Sequence, residues 1–258
     1  MVKITFLGTC SGTEPMPNMH HCSLVVTVDG VNYWFDAGEN CSHSAYTSGI
    51  DVTRVRAVFI SHMHIDHIGG LPNLIFTINK VVRVSGKEFI NGGKYDLFLP
   101  DVNGFDSIYN IGTSYRPSVA LPVKVEPHQV ADGLVFEDER IRVTAHHTRH
   151  LGEDGSEGWH AYSYLIEAEG KRILFSGDVK TPCDLDAQLG DGVDLLIMET
   201  GHHKVESVLD YVKSNPIKRL VFNHHGREII ADRNAANEKI KESGLDAEIL
   251  SDMRVIEL

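Results

Sequence analysis

Three histidines and an aspartate occupy six positions of the segment SHMHIDHIGG, residues 61–70, directly after the apolar run VRAVFI. Their spacing is H-x-H-x-D-H, from His62 to His67. Two histidines placed two residues apart as a strand ends can point to the same side, and the turn that follows brings the aspartate and the third histidine to a neighbouring position. One short loop of this kind can hold two metal ions. Imidazole and carboxylate ligands suit zinc, manganese or iron, and a motif without cysteine argues against a closed structural zinc site.

Further ligand-type side chains stand where other apolar runs end. The runs YWFDAG, RILFSGD, LVFNHH and IRVTAHHTRH reach Asp36, Asp178, His224, His225, His146, His147 and His150. Groups at strand ends on one edge of a sheet can converge on a single point. The alternative interpretation of residues 61–70, a polar loop that happens to be rich in histidine, does not account for this recurrence, so the pattern favours a metal site.

Short β-branched and aromatic runs predict that strands dominate the fold. Asp29-Gly30 and Glu169-Gly170 separate pairs of such runs and predict hairpin turns. Helical patterns are fewer and lie at roughly 71–79, 204–213 and 231–242. Strands in hairpins come early and alternate with helices late. This order predicts an α/β (α+β) fold of two mixed sheets packed face to face with helices on the outer faces, and not a doubly wound Rossmann sheet.

The chain has 258 residues, 42% of them hydrophobic, and can bury a sizeable core. No linker or low-complexity tract divides it, so we expect a single domain over residues 1–258. The stretch from about 80 to 139 has no clear period, and we expect an insertion or lid there. Its letters INGGKYDLFLPDVNGFDSIYNIGTSYRP give no shape.

Composition limits the compartment and the partners. The formal net charge is −12, and no segment offers the roughly 18 uncharged apolar residues of a membrane span. The start of the chain has no signal-peptide pattern, and the four cysteines are scattered without a C-x-x-C pair. We expect a cytoplasmic protein with free thiols and no membrane association, and the sequence allows a homodimer.

The blocks GTCSGTEPMP, WFDAG, SHMHIDHIGGL, a later histidine, FSGD and VFNHH follow one another in this order. Together they resemble the metallo-β-lactamase superfamily, and the first and last blocks are similar to those of ribonuclease Z and related phosphodiesterases. The resemblance covers nearly the whole chain except its middle and its last helix. It implies an αββα sandwich and a hydrolase that uses two divalent metal ions.

The resemblance also implies a ligand set. One ion would be held by His62, His64 and a later histidine, and the second by Asp66, His67 and a C-terminal histidine. Asp178 would bridge the two ions, and Asp36 would orient a ligand histidine through its other ring nitrogen. The motif ending T-x-H selects His150 as the later histidine over His146 and His147, and the apolar run of LVFNHH selects His224 over His225.

The resemblance implies that a hydroxide bridging the two ions attacks the substrate. Asp66 would also handle a proton at this nucleophile. His202, which follows Glu199 and precedes His203 in LIMETGHH, is a candidate acid near the leaving group. His21, His225 and Arg227 are weaker candidates for contact with the substrate.

The expected substrate is a small anion. Two ions carry four positive charges, and subtracting Asp66, Asp178 and the hydroxide leaves roughly one. That residual charge suits a small phosphodiester. The alternatives are a lactone or thioester hydrolase, a tRNA 3′-processing endonuclease of the same fold, or a non-catalytic ligand-binding member. The acidic net charge and the lack of a basic arm predict that a long nucleic acid is an unfavourable partner.

Overall fold

The computed structural model describes residues 1–114, 120–152, 154–156 and 158–258. Within these residues the strands are β1 (Val2–Gly8), β2 (Ser23–Val28), β3 (Val31–Phe35), β4 (Val55–Phe59), β5 (Lys94–Leu99), β6 (Lys124–Gln129), β7 (Gly133–Glu137), β8 (Ile141–His147), β9 (Tyr162–Ala168), β10 (Lys171–Phe175), β11 (Leu195–Thr200), β12 (Leu220–His225), β13 (Ala247–Ile249) and β14 (Val255–Glu257). They form two seven-stranded sheets, with the orders β14-β1-β2-β3-β4-β5-β6 and β13-β12-β11-β10-β9-β8-β7.

The helices are α1 (Cys41–Thr47), α2 (Ile65–Ile68), α3 (Leu71–Ser85), α4 (Ile90–Gly93), α5 (Phe105–Gly112), α6 (Asp186–Leu189), α7 (Val205–Lys213), α8 (Arg227–Ala231) and α9 (Arg233–Ser243). The longest of them, α3, buries Leu71, Leu74, Ile75, Ile78 and Val82, which recur at the spacing of one helix face. This face packs on the outer side of the first sheet, in one cluster with Trp34 and Val58. Helix α7 covers the outer side of the second sheet in the same way.

The core between the two sheets is aromatic. Phe35 and Phe59 stack with ring centroids 4.8 Å apart, and Phe35 meets Tyr164 of the second sheet edge to face at 5.9 Å. Burying each side chain of this size stabilises the fold by roughly 1.5–3 kcal/mol. The two mixed sheets with helices outside confirm the predicted sandwich.

The hairpins fall where the dipeptides predict them. Asp29 and Gly30 both have positive φ, 49° and 72°, and Glu169 and Gly170 repeat this with 50° and 73°. Positive φ at two successive residues is the backbone of a type I′ turn, whose twist matches that of the flanking strands.

The middle of the chain, 80–139, begins inside α3 and then extends the sandwich. Strand β5 pairs in parallel with β4, and β6 pairs in parallel with β5 at the edge of the first sheet. Strand β7 pairs antiparallel with β8 in the second sheet, so this part contributes strands to both sheets. Residues 115–119, within the stretch for which an insertion or lid is expected, lie outside the described residues, and the lid stays a prediction.

Candidate metal centre

The predicted ligands follow strands whose carboxyl ends share one edge of the sandwich. Strand β3 runs parallel to β4 in the first sheet, and β10 and β12 both run parallel to β11 in the second. The two sheets are tied together at this edge, since Tyr162 N donates to Ser61 O at 2.8 Å and the Tyr164 hydroxyl donates to Ile60 O at 2.6 Å. The loops that follow these strands therefore meet in space.

Asp36, directly after β3, holds the H-x-H-x-D-H loop in place through hydrogen bonds. Its side chain is fully buried. One carboxylate oxygen accepts the Ser61 backbone N–H at 2.6 Å, and the other accepts the Ser61 hydroxyl and lies 2.7 Å from His67 Nδ1. The Asp36 bond fixes the His67 ring so that Nε2 faces the cluster of predicted ligands. This contact is the kind that orients metal-binding histidines.

The first set of predicted ligands is His62, His64, His150 and Asp178. The ring nitrogen His64 Nδ1 lies 3.0 Å from His62 Nε2 and 3.5 Å from His150 Nε2. Asp178 Oδ2 lies 3.6 Å from His62 Nε2 and 3.7 Å from His150 Nε2. Ligand atoms about 2 Å from a tetrahedral zinc ion are themselves roughly 3.3 Å apart. The spacing of this set fits one ion.

The second set is Asp66, His67 and His224, again with Asp178 beside it. His224 Nε2 lies 3.1 Å from both His67 Nε2 and Asp66 Oδ2. The other Asp178 oxygen, Oδ1, lies 3.3 Å from His224 Nδ1 and 3.6 Å from His67 Nε2. Asp178 thus presents one oxygen to each set, which is the arrangement a bridging carboxylate needs.

Two buried polar atoms of the cluster have no hydrogen-bond partner among the described residues, Asp178 Oδ1 and His224 Nδ1. Leaving such atoms unpaired costs about 1–3 kcal/mol each. Both atoms face the second set and lie 3.3 Å apart, so a cation held there would satisfy them. The donor atoms of each set fit a divalent ion, and the orphaned atoms point to the second set.

The charges of the cluster also call for cations. Asp36, Asp66, Asp178 and Glu199 are all at most 7% exposed. Burial opposes the charge on Asp66, but hydrogen bonds from His224 and His67 hold its pKa below the ordinary range. Burial lowers the pKa of His224, yet the Asp178 carboxylate and the hydrogen bonds to Asp66 and Glu199 together outweigh burial and raise it to about 9. In the absence of metal, protonated histidines offset the negative charge of these carboxylates. Two divalent ions would balance the same charge.

The structure separates His150 from its two competitors. His150 joins His62 and His64, whereas His147 turns to Asp132, with His147 Nδ1 2.6 Å from Asp132 Oδ2. His146 lies beside the same aspartate at 3.8 Å.

Glu199, in β11, and His202, just after this strand, border the cluster. His202 Nδ1 lies 3.1 Å from Glu199 Oε1, and the His202 backbone N–H donates to Glu199 Oε2 at 3.0 Å. The Glu199 bond raises the pKa of His202, despite partial burial that lowers it. His203 Nε2 lies 3.0 Å from Val179 O and 3.3 Å from the same Glu199 oxygen, and His203 is not part of the cavity wall described below. Of the two histidines, His202 is therefore the one beside the open space over the metal ligands.

A cavity of about 330 Å³ opens over the cluster. Its wall is formed by Ser11, Gly12, Thr13, His64, Asp66, Asp178, Gly201, His202, His224, Gly226 and Arg227. Arg227 stands at the rim, where its guanidinium bonds Glu14 at 2.7 Å. Gly12 approaches closely, since a Cβ there would lie 2.9 Å from Asp66 Oδ2. The cavity therefore gives a small ligand direct access to both ligand sets.

Two of the weaker substrate candidates lie elsewhere. His225 is fully buried and its Nε2 donates to Leu250 O at 2.8 Å, because β12 turns this side chain away from the neighbouring His224. His225 occupies a packing position and not the cavity wall. His21 is partly exposed in the loop before β2 and also lies outside the wall described above. Its contact with a substrate stays a prediction.

Sequence reasoning overlooked Ser61 and the loop of Ser11, Gly12 and Thr13. Ser61 holds Asp36 through two hydrogen bonds, and its signal was its place directly before His62. The signal for the loop was its block GTCSGT, rich in small residues that allow close approach of the backbone. Both features shape the site without supplying a metal ligand, so the pattern of ligand-type residues in the sequence does not reveal them.

The family model described as "Anti-Pycsar protein Apyc1" matches residues 2–200. The chain belongs to this family. The Apyc1-family chain is also 25% identical to ribonuclease Z of Methanothermobacter thermautotrophicus, in an alignment that covers 87% of this chain and 86% of the relative.

Solved structures share the fold. Human tRNase Z, short form, superposes on this Apyc1-family chain with a TM-score of 0.69 at 21% identity, covering 99% of this chain and 98% of that one. The metallo-β-lactamase fold protein YhfI from Bacillus subtilis gives 0.75 at 16% identity, covering 100% and 99%. The Apyc1-family chain is a metal-dependent hydrolase of the metallo-β-lactamase superfamily, near the ribonuclease Z branch.

The prediction that a long nucleic acid is an unfavourable partner is wrong. Relatives of this Apyc1-family chain carry the names ribonuclease Z and tRNase Z, which are the names of enzymes for RNA. Net charge averages over the whole surface, whereas a polyanion is held by a local patch. A value of −12 therefore excludes no RNA substrate.

No helix in the described part of the chain is long and apolar enough to cross a bilayer.

Proposed function

We propose that this chain hydrolyses phosphodiester bonds with two divalent ions, zinc or manganese, with iron also suited to these ligands. The observation that carries the proposal is the position of Asp178, whose two oxygens lie within 3.7 Å of His62 and His150 on one side and of His67 and His224 on the other. Such an arrangement supports two ions and not one.

The proposed holders of the first ion are His62, His64, His150 and Asp178, and those of the second are Asp66, His67, His224 and Asp178. Two divalent ions bound there would supply an ionised water as the nucleophile and would neutralise charge that develops on the phosphate. The chain needs no nucleophilic serine or cysteine for this chemistry. Asp36 keeps the His67 ring in place through its 2.7 Å contact.

Asp66 has a role beyond holding an ion. It lies in the first turn of α2, whose N-cap is His64, and its carboxylate is directed to His224 and not to the helix end. The same carboxylate lines the cavity. Asp66 is thus placed to accept a proton from the attacking water, as a general base requires.

His202 is the proposed proton donor to the leaving oxygen. Glu199 accepts the Nδ1–H of His202 and raises the pKa of the ring, which favours the imidazolium, and the Nε2–H of that charged form is the proton to be donated. The imidazole is 43% exposed and lines the cavity, so it can reach a bound substrate. Glu199 is a positioning residue that acts through His202.

Arg227 is the proposed contact for an anionic oxygen of the substrate. Its charge is placed at the rim by Glu14, on the loop after β1. A guanidinium binds phosphate oxygens through paired N–H donors, and exchanging one carboxylate partner for a phosphate preserves those bonds.

The proposed preferred substrate is a small phosphodiester. A cavity of about 330 Å³ is at the lower end of the range for small-molecule sites. A second candidate is RNA, favoured by the ribonuclease Z relatives, whose scissile bond is a phosphodiester of the same chemistry. A lactone or thioester would use the same ions but carries no charged phosphate oxygens for Arg227.

The test is a comparison of catalytic efficiency at matched metal occupancy. Its substrates are bis-p-nitrophenyl phosphate, cyclic nucleotides, a precursor tRNA, a lactone, a thioester and a β-lactam. We expect a small phosphodiester to lead. Leadership of precursor tRNA would replace the preferred substrate by RNA, and leadership of the lactone, thioester or β-lactam would overturn phosphodiester hydrolysis.

A substitution in the same assay tests the proposed catalytic role of Asp66. Asp66→Asn should reduce turnover by roughly 10²–10⁴-fold, as loss of a general base does. The matched control is Asp232→Asn, because Asp232 is an N-cap whose side chain accepts from Ala235 N at 2.9 Å. The control should change stability by about 1 kcal/mol or less without a specific loss of rate. Equal rates for both variants would remove Asp66 from the mechanism.

A further inference from the structure

A second cluster of metal-ligand side chains lies outside the proposed centre, at the end of β8. It consists of Asp132, His146 and His147, each of which offers one ligand atom within 4.8 Å of the others. His147 Nδ1 lies 2.6 Å and His146 Nδ1 3.8 Å from the Asp132 carboxylate. The two imidazole rings are 4.5 Å apart. Successive strand residues normally point to opposite faces, so this convergence at the strand end is a specific arrangement.

Two of the three side chains are held in place without a metal. Asp132 Oδ1 accepts the His147 backbone N–H at 2.7 Å, which anchors the carboxylate to the strand end. The His147 ring lies flat on Trp159, with centroids 3.8 Å apart and planes 11° apart. Binding of an ion here would therefore cost little conformational entropy, because these two ligands are already ordered.

The chemistry of the cluster suits a transition metal. Two imidazoles and a carboxylate are ligands for zinc, nickel or copper. Partial burial lowers the pKa of His146 and so favours the neutral ring that binds metal. Asp132 is 42% exposed and the two histidines 28% and 25%, so an ion can enter and keep water on its open positions.

We propose that Asp132, His146 and His147 form a further binding site for a divalent transition-metal ion, separate from the proposed catalytic pair. The site joins the residue before β7 to the end of β8. The next residue, Thr148, donates to Asp178 O at 2.7 Å, and His150 follows two positions later. An ion at this site would thus fix the segment that leads into the catalytic cluster.

The experiment measures zinc bound per chain. Wild-type protein, Asp132→Asn and the double variant His146→Asn/His147→Asn are dialysed against the same free zinc concentration and analysed for metal. The control is His43→Asn, which removes an exposed histidine from α1. We expect the wild type and the control to bind one more zinc per chain than the two cluster variants, and turnover at saturating metal to be retained in all four.

The difference in bound zinc between the wild type and the cluster variants decides the outcome. Equal zinc in the wild type and in Asp132→Asn, with the thermal melting of the apo-proteins unchanged, would overturn the site. Asp132→Asn preserves an acceptor for the His147 N–H, so it remains informative even if the double variant folds poorly. Failure of the proposed catalytic pair would lower the zinc content of all four proteins together and leave their difference intact.

Discussion

At the scale of single residues, Asp178 is the side chain on which the proposed centre depends. It follows β10, is 2% exposed, and stands between two sets of imidazoles that come from different loops. A lone buried carboxylate at this position would be costly without compensating positive charge. The histidines around it and the ions they are proposed to hold supply that compensation.

The assignment of His150 can be tested against its neighbours in the sequence. We expect His150→Ala to raise sharply the metal concentration needed for half-maximal turnover, because His150 Nε2 lies 3.7 Å from Asp178 Oδ2. His43→Ala, which removes an exposed histidine of α1, should leave that concentration unchanged. Titration of turnover with zinc or manganese measures both. If His147→Ala shifts the curve and His150→Ala does not, the ligand assignment fails.

The role of His202 predicts a different signature. His202→Asn should lower kcat by roughly 10²–10⁴-fold while metal content stays that of the wild type, since its Nδ1 is bonded to Glu199 and it is not among the proposed ligands. Rates at saturating substrate and elemental analysis of the same sample provide the check. A variant that loses metal in step with activity would make His202 a ligand and not an acid.

Single residues differ in how visible their role is in the sequence. The H-x-H-x-D-H spacing and the residue types at strand ends were enough to gather the candidate side chains, but the choice of His224 over His225 came from the family resemblance. The choice of His150 over His147 needed a family pattern, because only the fold shows that Asp132 draws His147 away. The function of Ser61 was missed, since its place directly before His62 does not by itself reveal the hydrogen bonds to Asp36.

At the scale of elements, the close packing of loops at the sheet edge sets the geometry. Gly177 precedes Asp178 with φ of 53°, and a Cβ there would lie 2.6 Å from Tyr162 O and 2.8 Å from Ser61 Cβ. The loop after β10 therefore touches both the loop after β4 and β9. The position of Asp178 depends on this contact.

A pair of glycine substitutions separates backbone strain from this contact. Gly170→Ala, in the β9–β10 hairpin, has φ of 73° and open space around its Cβ, and should cost roughly 1 kcal/mol. Gly177→Ala adds a collision with backbone and should cost more, with weaker metal binding besides. Denaturant unfolding and metal titration compare the two. Equal costs and equal metal affinities would contradict the proposed dependence of Asp178 on this packing.

Elements with strong local signals were predictable and the middle of the chain was not. Alternation and turn dipeptides identified the hairpins and most strands. Strand β6 reads KVEPHQ, with charged residues and Pro127, and carries little strand propensity. It is a strand because it lies at the sheet edge, where proline is tolerated and β5 supplies its partner. Strand β5 lies beside β6 only after the chain has folded, so no local sequence pattern predicts β6.

At the scale of the whole molecule, we propose that residues 1–258 form one domain, since both sheets bury against a common aromatic core. The centre then joins the two sheets, with ligands from the loops of each. Metal should therefore stabilise the entire fold, and a ligand present at 100 times its Kd contributes about 2.7 kcal/mol. Chelation should lower the melting temperature in one cooperative transition. An unchanged melting temperature would argue against ions that bridge the sheets.

The central claim is that two divalent ions lie on either side of Asp178. The most direct test is a crystal structure of the zinc- or manganese-loaded protein with anomalous diffraction measured at the absorption edge of the metal. We predict two anomalous peaks at the centre, one beside His62, His64 and His150 and the other beside Asp66, His67 and His224. A single peak there, or none, would contradict the dinuclear account.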